Sequence, residues 1–355
     1  MTSAFLPGIE LSRRFYREAV RPLLDGYLPG LAHSAALLGA GSEVLGYDTE
    51  RSTDHDWGPR VLVLLAPADA ERHGGRLDAL LAARLPEKFL GRPVRYSSTA
   101  EPGGPPRHRV VVTGLGAWLT GHLGFDPRGG VTTADWLATP TQRLAELTTG
   151  AVFHDGLGEL EDVRGRLAWY PPEVWRYVLA CQWTRIGQEE AFVGRCGEVG
   201  DELGSAVVAA RLVRDMMRLC LLMARRYPPY SKWLGTAFAE LPAAARLSRA
   251  LVAALAATNW RDREHHLCGA YETVAAMHND LALTESLEPT VRPFFDRPFR
   301  VIDAARFARA LRSTIADPTL RSLSPTGAVD QLVDSTDGLG DLRLLRRVTT
   351  ARLQG

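Results

Sequence analysis

Apolar residues recur at helical spacing from about Ile9 to Leu24, where Leu11, Phe15, Ala19 and Val20 are separated by Arg13, Arg14, Arg17 and Glu18; the pattern predicts an amphipathic opening helix. A second helix is expected over Leu28 to Ser34, and the apolar run Ala35 to Leu38 reads as a first strand leading into Gly41-Ser42. Val61-Leu62-Val63-Leu64-Leu65 is an unbroken apolar run of strand length, as expected of a core strand covered on both faces. Gly58 and Pro59 before it predict a bulge or an offset. A helix from about Leu77 to Leu85, a strand-like Val94 to Ser98, a Pro/Gly loop from Glu101 to Pro106 and a strand from Arg109 to Thr113 complete this mixed part of the chain.

From Thr132-Thr133-Ala134-Asp135 onward the pattern becomes almost wholly helical, with a cap-like start before Trp136 and Leu137. Helices are expected over about 134–148, 157–168, 172–193, 200–226, 231–240, 243–257, 261–280 and 303–313, and the polar tail beyond Pro318 carries no clear pattern until Leu342-Arg343-Leu344-Leu345. No internal repeat recurs, which indicates a bundle rather than a solenoid. The fold class expected is therefore α+β: a small mixed-sheet domain over 1–130 and an α-helical domain over 131–355.

Composition narrows the function classes. With 355 residues the chain can bury two ordinary cores, and 42 basic against 41 acidic residues leave a net charge of +1, which gives no reason to expect nucleic acid or an anionic membrane as partner. Cys181, Cys196, Cys220 and Cys268 are widely spaced, with neither a disulfide framework nor a zinc pattern. The opening residues show no signal peptide and no segment is apolar enough to span a bilayer, so a cytoplasmic protein is expected. Only Lys88 and Lys232 are lysine, in a chain that otherwise uses arginine.

The chemistry concentrates between Gly41 and Asp56. Asp54 and Asp56 flank His55, and on an extended segment two acids one residue apart project from the same face, where they can share a cation while His55 points away. Hard oxygen ligands in that number suit Mg²⁺, which is normally completed by waters and substrate phosphates. Gly41-Ser42 fits the same task, because consecutive backbone N–H groups in a tight turn form a concavity for phosphate and Ser42 adds a hydroxyl.

Gly-Ser, eleven residues and then Asp-x-Asp resembles the signature of the DNA polymerase β-like nucleotidyltransferases, which include the kanamycin nucleotidyltransferases. Within that superfamily the chain looks most similar to a domain-of-unknown-function family (4037), through Asp135-Trp136-Leu137, Glu189-Glu190-Ala191-Phe192-Val193-Gly194-Arg195 and Tyr230-Ser231-Lys232-Trp233. The resemblance implies a helical domain closing a nucleotide cleft and Mg²⁺-dependent transfer of a nucleoside monophosphate from an NTP to a hydroxyl of a small molecule, with release of pyrophosphate. Asp54 and Asp56 would be the metal ligands and catalytic acids, and Gly41, Ser42 and Lys232 would hold the triphosphate. Relatives often supply a third acid from a neighbouring strand, but Arg109 to Thr113 contains none.

Glu189 falls on the packing face of the 172–193 helix with Gln182, where a carboxylate is either ion-paired or a general base in a cleft. It is the expected base, with Glu190 at its flank. The stripe Arg211, Arg214, Asp215, Arg218 reads as a solvated face with an internal Arg211–Asp215 pair, and His265, His266, Cys268 and His278 lack metal-binding spacing. Two other function classes compete: a toxin or regulator that nucleotidylates protein or tRNA, and a catalytically weak nucleotide-binding module. Acceptor, choice of NTP and oligomeric state, a homodimer among the options, stay open at this level.

Overall fold

The computed structural model describes residues 5–54, 57–97 and 104–354. Helix and strand are mixed, and the chain forms two compact units: 1–131 with 143–168, and 132–142 with 169–355. A single division near 130 is therefore replaced by three crossings. The physical reason is a strand that the sequence pattern did not mark, described below.

In the first unit α1 (Gly8–Phe15) runs through a π turn (Tyr16–Val20) into α2 (Arg21–Tyr27), so the opening amphipathic helix is present and somewhat longer than expected. The second helix expected over Leu28 to Ser34 is absent. Pro29 and Gly30 (φ +82°) break the chain there, and strand β1 begins at His33 (His33–Leu37). The chain then passes through α3 (Ser42–Leu45), a 3-10 turn (Glu50–Asp54), β2 (Val61–Leu65) and α4 (Pro67–Arg84). Helix α4 starts ten residues before the expected Leu77 because Pro67 is favoured at a first helical position, while Gly74 and Gly75 had blurred its periodicity.

Two short ribbons follow, β3 (Lys88–Phe89) with β4 (Arg92–Pro93) and β5 (Arg95–Tyr96) with β6 (Arg107–His108), then β7 (Val110–Gly114) and α5 (Leu115–Leu123). The expected strand to Ser98 thus shrinks to two residues, and Ser98 itself and 101–103 lie outside the described residues. After α6 (Thr133–Ala138), which belongs to the second unit, α7 (Thr141–Thr148) leads back into the first, where β8 (Ala151–Asp155) and α8 (Leu160–Arg166) complete it.

The main sheet has the order β7-β2-β1-β8, with β1 antiparallel to both neighbours and β2 parallel to β7. All five residues of β2 are buried, as the apolar run predicts. Val61, Val63 and Leu65 share a core with Ala35, Phe15, Tyr16, Val20, Leu24, Leu77 and Leu81, so α1, α2 and α4 cover one face of the sheet. Burying each such side chain contributes roughly 1.5–3 kcal/mol.

The second unit is helical, with α9 (Pro172–Glu189), α10 (Phe192–Glu198), α11 (Glu202–Met223), α12 (Ser231–Ala239), α13 (Pro242–Ala256) and α14 (Trp260–Asp280); α10 is a helix that was not expected, and the others follow the expected order. A small ribbon of β9 (Arg292–Pro293) and β10 (Arg300–Val301) precedes α15 (Ala305–Ser313). The unpatterned tail folds as four helices, α16 (Pro318–Ser322), α17 (Val329–Leu332), α18 (Thr336–Gly340) and α19 (Leu342–Gln354). The cap signal before Trp136 is a reciprocal capping box: Asp135 N–H donates to Thr132 Oγ1 at 3.2 Å and Thr132 N–H to Asp135 Oδ2 at 2.9 Å. Among the described residues no helix is long and apolar enough to cross a membrane.

Candidate functional site

Pairing in the sheet decides where the Gly41–Asp54 residues sit. Ala36 faces Leu62 across β1 and β2, so the exit of β1 and the entrance of β2 lie at one end of the sheet. Val110 is in register with Val61, and Leu37 pairs with Ala151, which brings the starts of β7 and β8 to that same end. Gly41-Ser42 leaves this end from β1, and residues 57–60 lead into it through Arg60.

Gly41 has φ +139°, a conformation that suits glycine, and it precedes the first turn of α3. A Cβ there would overlap Arg60 Nη2 and the Glu43 carboxylate. Those two side chains are the framework of the turn: Arg60 Nε and Glu43 Oε1 form an ion pair at 2.8 Å with Glu43 almost wholly buried, and Arg60 Nη2 donates to the Ala40 carbonyl. Burial lowers the pKa of Arg60, and the Glu43 charge beside it opposes that shift. Sequence reasoning passed over both. Their signal was a basic residue between Pro59 and a fully apolar strand, a position that needs a buried counter-charge.

The extended Asp-x-Asp geometry does not hold at Asp54. That residue closes a 3-10 turn and is exposed, while His55 and Asp56 lie outside the described residues. Hydroxyl groups explain the coil: Thr49 N–H donates to Ser52 Oγ at 3.1 Å and Thr53 Oγ1 to the Glu50 carbonyl at 2.8 Å, local bonds that compete with strand pairing. Strand β2 begins only after Gly58 and Pro59. Asp48 pins the segment from below, accepting Trp57 Nε1–H at 2.9 Å and the Gly8 N–H that opens α1 at 2.7 Å.

Gly58, at φ +152°, is the offset expected before β2, and a Cβ there would fall on the hydroxyl of Tyr96. Gly58→Ala is expected to destabilise the fold by about 1–3 kcal/mol, through strain at a φ that alanine avoids and through displacement of Tyr96. Thermal melting measures it, with Tyr96→Ala expected to restore only the steric part; an unchanged melting temperature would show that the Tyr96 ring yields freely.

β7 carries no acid, as its sequence indicated, and among the four main-sheet strands Asp155 is the sole one. Asp155 pairs with Ser34, at the end of the sheet away from Gly41. A third carboxylate near the turn would therefore come from a loop or helix. A Mg²⁺ completed by waters and phosphates requires only one or two protein carboxylates, and the exposed, hard-oxygen Asp54 fits that demand. Among the described residues no group of three or more His, Cys, Asp or Glu is placed to hold a metal.

In the second unit Glu189 ends α9 and lies in the fork of Arg211 of α11, with Nη2–Oε1 at 2.6 Å and Nε–Oε2 at 2.9 Å. This is the ion-paired arrangement of the two weighed for it, and the contact holds the Arg211 pKa above its usual value. Glu190 is the more buried acid. Its oxygens accept the backbone N–H groups of Ile302, Asp303 and Ala304 at 2.7, 3.1 and 2.9 Å, and burial pushes its pKa up to about 7 against the pull of those donors.

The arginine stripe of α11 is not a solvated face. Asp215 is 1% exposed and Arg218 is 9% exposed, because α11 packs on α9 here. Arg211 pairs with Glu189 and not with Asp215, whose partners are Arg185 (3.3 Å) and Arg214 (3.7 Å). Gln182 points inward as expected, donating to the Asp215 carbonyl and accepting from Gln331 at 3.0 Å.

Lys232 is the second residue of α12, exposed, with its ammonium 5.0 Å from the Trp233 ring centroid. The turn that delivers it is fixed by Thr141 Oγ1 donating to the Pro228 carbonyl (2.7 Å) and Tyr230 N–H to Gln142 Oε1 (3.1 Å). His278 is buried and accepts Trp183 Nε1–H on Nδ1 at 3.2 Å; burial pushes its pKa down to about 4. Glu189 and Lys232 thus sit on different helices of one unit, and Gly41, Ser42 and Asp54 in the other.

Residues 136–234 match the family model described as Domain of unknown function (DUF4037). The match takes in the blocks Trp136-Leu137, Glu189 to Arg195 and Tyr230 to Trp233, and leaves out the Gly41–Asp56 segment. No curated protein and no solved structure matches the chain.

Proposed function

We propose that the protein is a nucleotidyltransferase that moves a nucleoside monophosphate from an NTP to a hydroxyl of a small molecule and releases pyrophosphate. The observation that carries the reading is that a positive-φ Gly-Ser turn leaves the sheet end at which β2 begins, with Arg60 at that entrance bonded to Ala40 and Glu43 of the turn. In this scheme Gly41 and Ser42 orient phosphate through backbone N–H groups and the Ser42 hydroxyl. Mg²⁺ on Asp54 and Asp56, when bound, neutralises phosphate charge. Lys232 adds a point charge to the triphosphate. Glu189 takes the acceptor proton, which requires Arg211, 41% exposed, to swing towards solvent.

A screen of labelled NTPs against metabolite pools, read by the mass shift of the acceptor, tests the reading; a set of NTPs that gives neither labelled product nor pyrophosphate would sink it. An acid-free β7 favours a second reading, a nucleotide-binding module with weak catalysis, for which binding without pyrophosphate release is the expected result. Lys232→Ala is expected to weaken NTP affinity about tenfold by removing one charge-assisted phosphate contact. Calorimetry measures this, and unchanged affinity would return Lys232 to an exposed residue resting on Trp233.

A further inference from the structure

A cleft of about 440 Å³ opens in the first unit, walled by Phe5, Leu6, Leu11, Trp57 and Leu90 with Arg92 among them. Its volume lies in the range of small-molecule sites, roughly 300–1,000 Å³. Of the residues assigned above to phosphate or metal, none of the described ones, Gly41, Ser42, Asp54 and Lys232, lines it.

Leu90 is the telling residue. β3 and β4 are joined by the two-residue loop Leu90-Gly91, with φ +48° and +77°. Two positive φ values make this the type I′ hairpin turn, for which Asn-Gly is the favoured pair and a leucine is costly. The leucine is also 46% exposed, so it gains little from burial. A strained and exposed apolar residue in a cleft wall is accounted for by something that covers it.

The cleft also carries an arranged charge. The Arg92 guanidinium stands 5.2 Å from the Trp57 ring centroid, and Phe5 lies against the same indole at 5.8 Å. Trp57 is held in place through its Nε1–H on Asp48. Stacking uses the face of a guanidinium and leaves in-plane N–H donors for an acceptor. Arg14, also in the wall, is forked by Glu18 at 2.9 and 3.4 Å, and Glu50 adds one negative charge. One engaged and one stacked arginine beside a carboxylate suit a ligand with a single negative charge better than a dianion.

We infer that this cleft binds a planar, apolar-bodied small molecule bearing one negative charge, its ring system against Leu6, Leu11 and Leu90 and its carboxylate or sulfonate on Arg92. The inference does not depend on the nucleotidyltransferase reading. Titration calorimetry with naphthoate tests it, using naphthylmethylammonium as the same body with the opposite charge. The expected result is saturable binding of naphthoate alone, weakened about tenfold by Leu90→Asn, which removes apolar wall, and about tenfold by Arg92→Gln, which removes the cation. Leu90→Asn supplies the residue the turn prefers, so its melting temperature should hold or rise and its loss of binding cannot be ascribed to unfolding. Absence of saturable naphthoate binding, equal binding by both variants and the wild type, or equal binding of the cation would each overturn the inference. Asp54→Asn is expected to bind naphthoate as the wild type does, so the two proposals fail separately.

Discussion

Asp54→Asn protein is expected to melt at the wild-type temperature and to lose Mg²⁺-dependent pyrophosphate release by about 10³-fold or more. The fold should persist because Asp54 is exposed at the end of a 3-10 turn, and the amide is of the same size. The loss should be large because a neutral amide cannot hold a hard dication, and a bound metal accounts for several kcal/mol of charge stabilisation in phosphoryl transfer, where each ~1.4 kcal/mol is a factor of ten. Asp56→Asn should behave alike. Normal pyrophosphate release by both variants would remove the metal from this segment and, with it, the reading of the Gly41–Asp56 stretch.

Glu190→Gln should act on stability instead. In the wild type two carboxylate oxygens take three N–H groups at the entry to α15; the amide offers one acceptor and turns an NH₂ towards donors it cannot satisfy. The expected cost is about 3–5 kcal/mol. The pH dependence has a definite sign. With its pKa raised from 4.5 to about 7 by burial, Glu190 binds a proton more tightly in the folded state than in the unfolded one. Its proton-linked stability is complete below pH 4.5 and is lost as pH rises through about 7. His278, depressed to about 4, contributes the opposite slope: below pH 6.5 the unfolded imidazole takes a proton that the folded one refuses, so its stability is lost as pH falls from 6.5 through about 4. The difference between wild-type and Glu190→Gln melting curves isolates Glu190, and parallel curves across that range would show that its carboxylate does not titrate with folding.

What the sequence made legible was local. The β2 run, the capping box at Thr132 and Asp135, the opening helix and most of the helical part need only neighbours within a few turns, and they appear close to where periodicity puts them. What it hid depends on distant partners. Ala151 to Asp155 is a five-residue stretch with no marked alternation between two glycines, and only its pairing with β1 makes it a strand. The polarity of α11 suggested solvent because nothing in its own sequence tells that Arg185 and Glu189 of α9 will meet it. At the candidate site the Gly-Ser turn was readable as a motif, but Glu43 and Arg60 were not, since each is explained only by the other across 17 residues of chain. The helical conformation of Glu50 to Asp54 came from hydroxyl bonds that residue type alone does not fix.

The return of β8 to the first sheet bears on how the protein is made. Ser34 finds Asp155 121 residues further along, so as the chain leaves the ribosome β1 stands with one row of backbone donors and acceptors uncovered until β8 has been synthesised. The residues exposed along that edge in the meantime, Ala35, Ala36 and Leu37, are ones the finished protein buries completely. A nascent chain stopped at 131 would present that edge indefinitely and invite a second chain to occupy it. Expression of the first unit therefore has to run through Ala168, carrying 132–142 as a passenger, to yield a sheet that does not recruit strands from its neighbours.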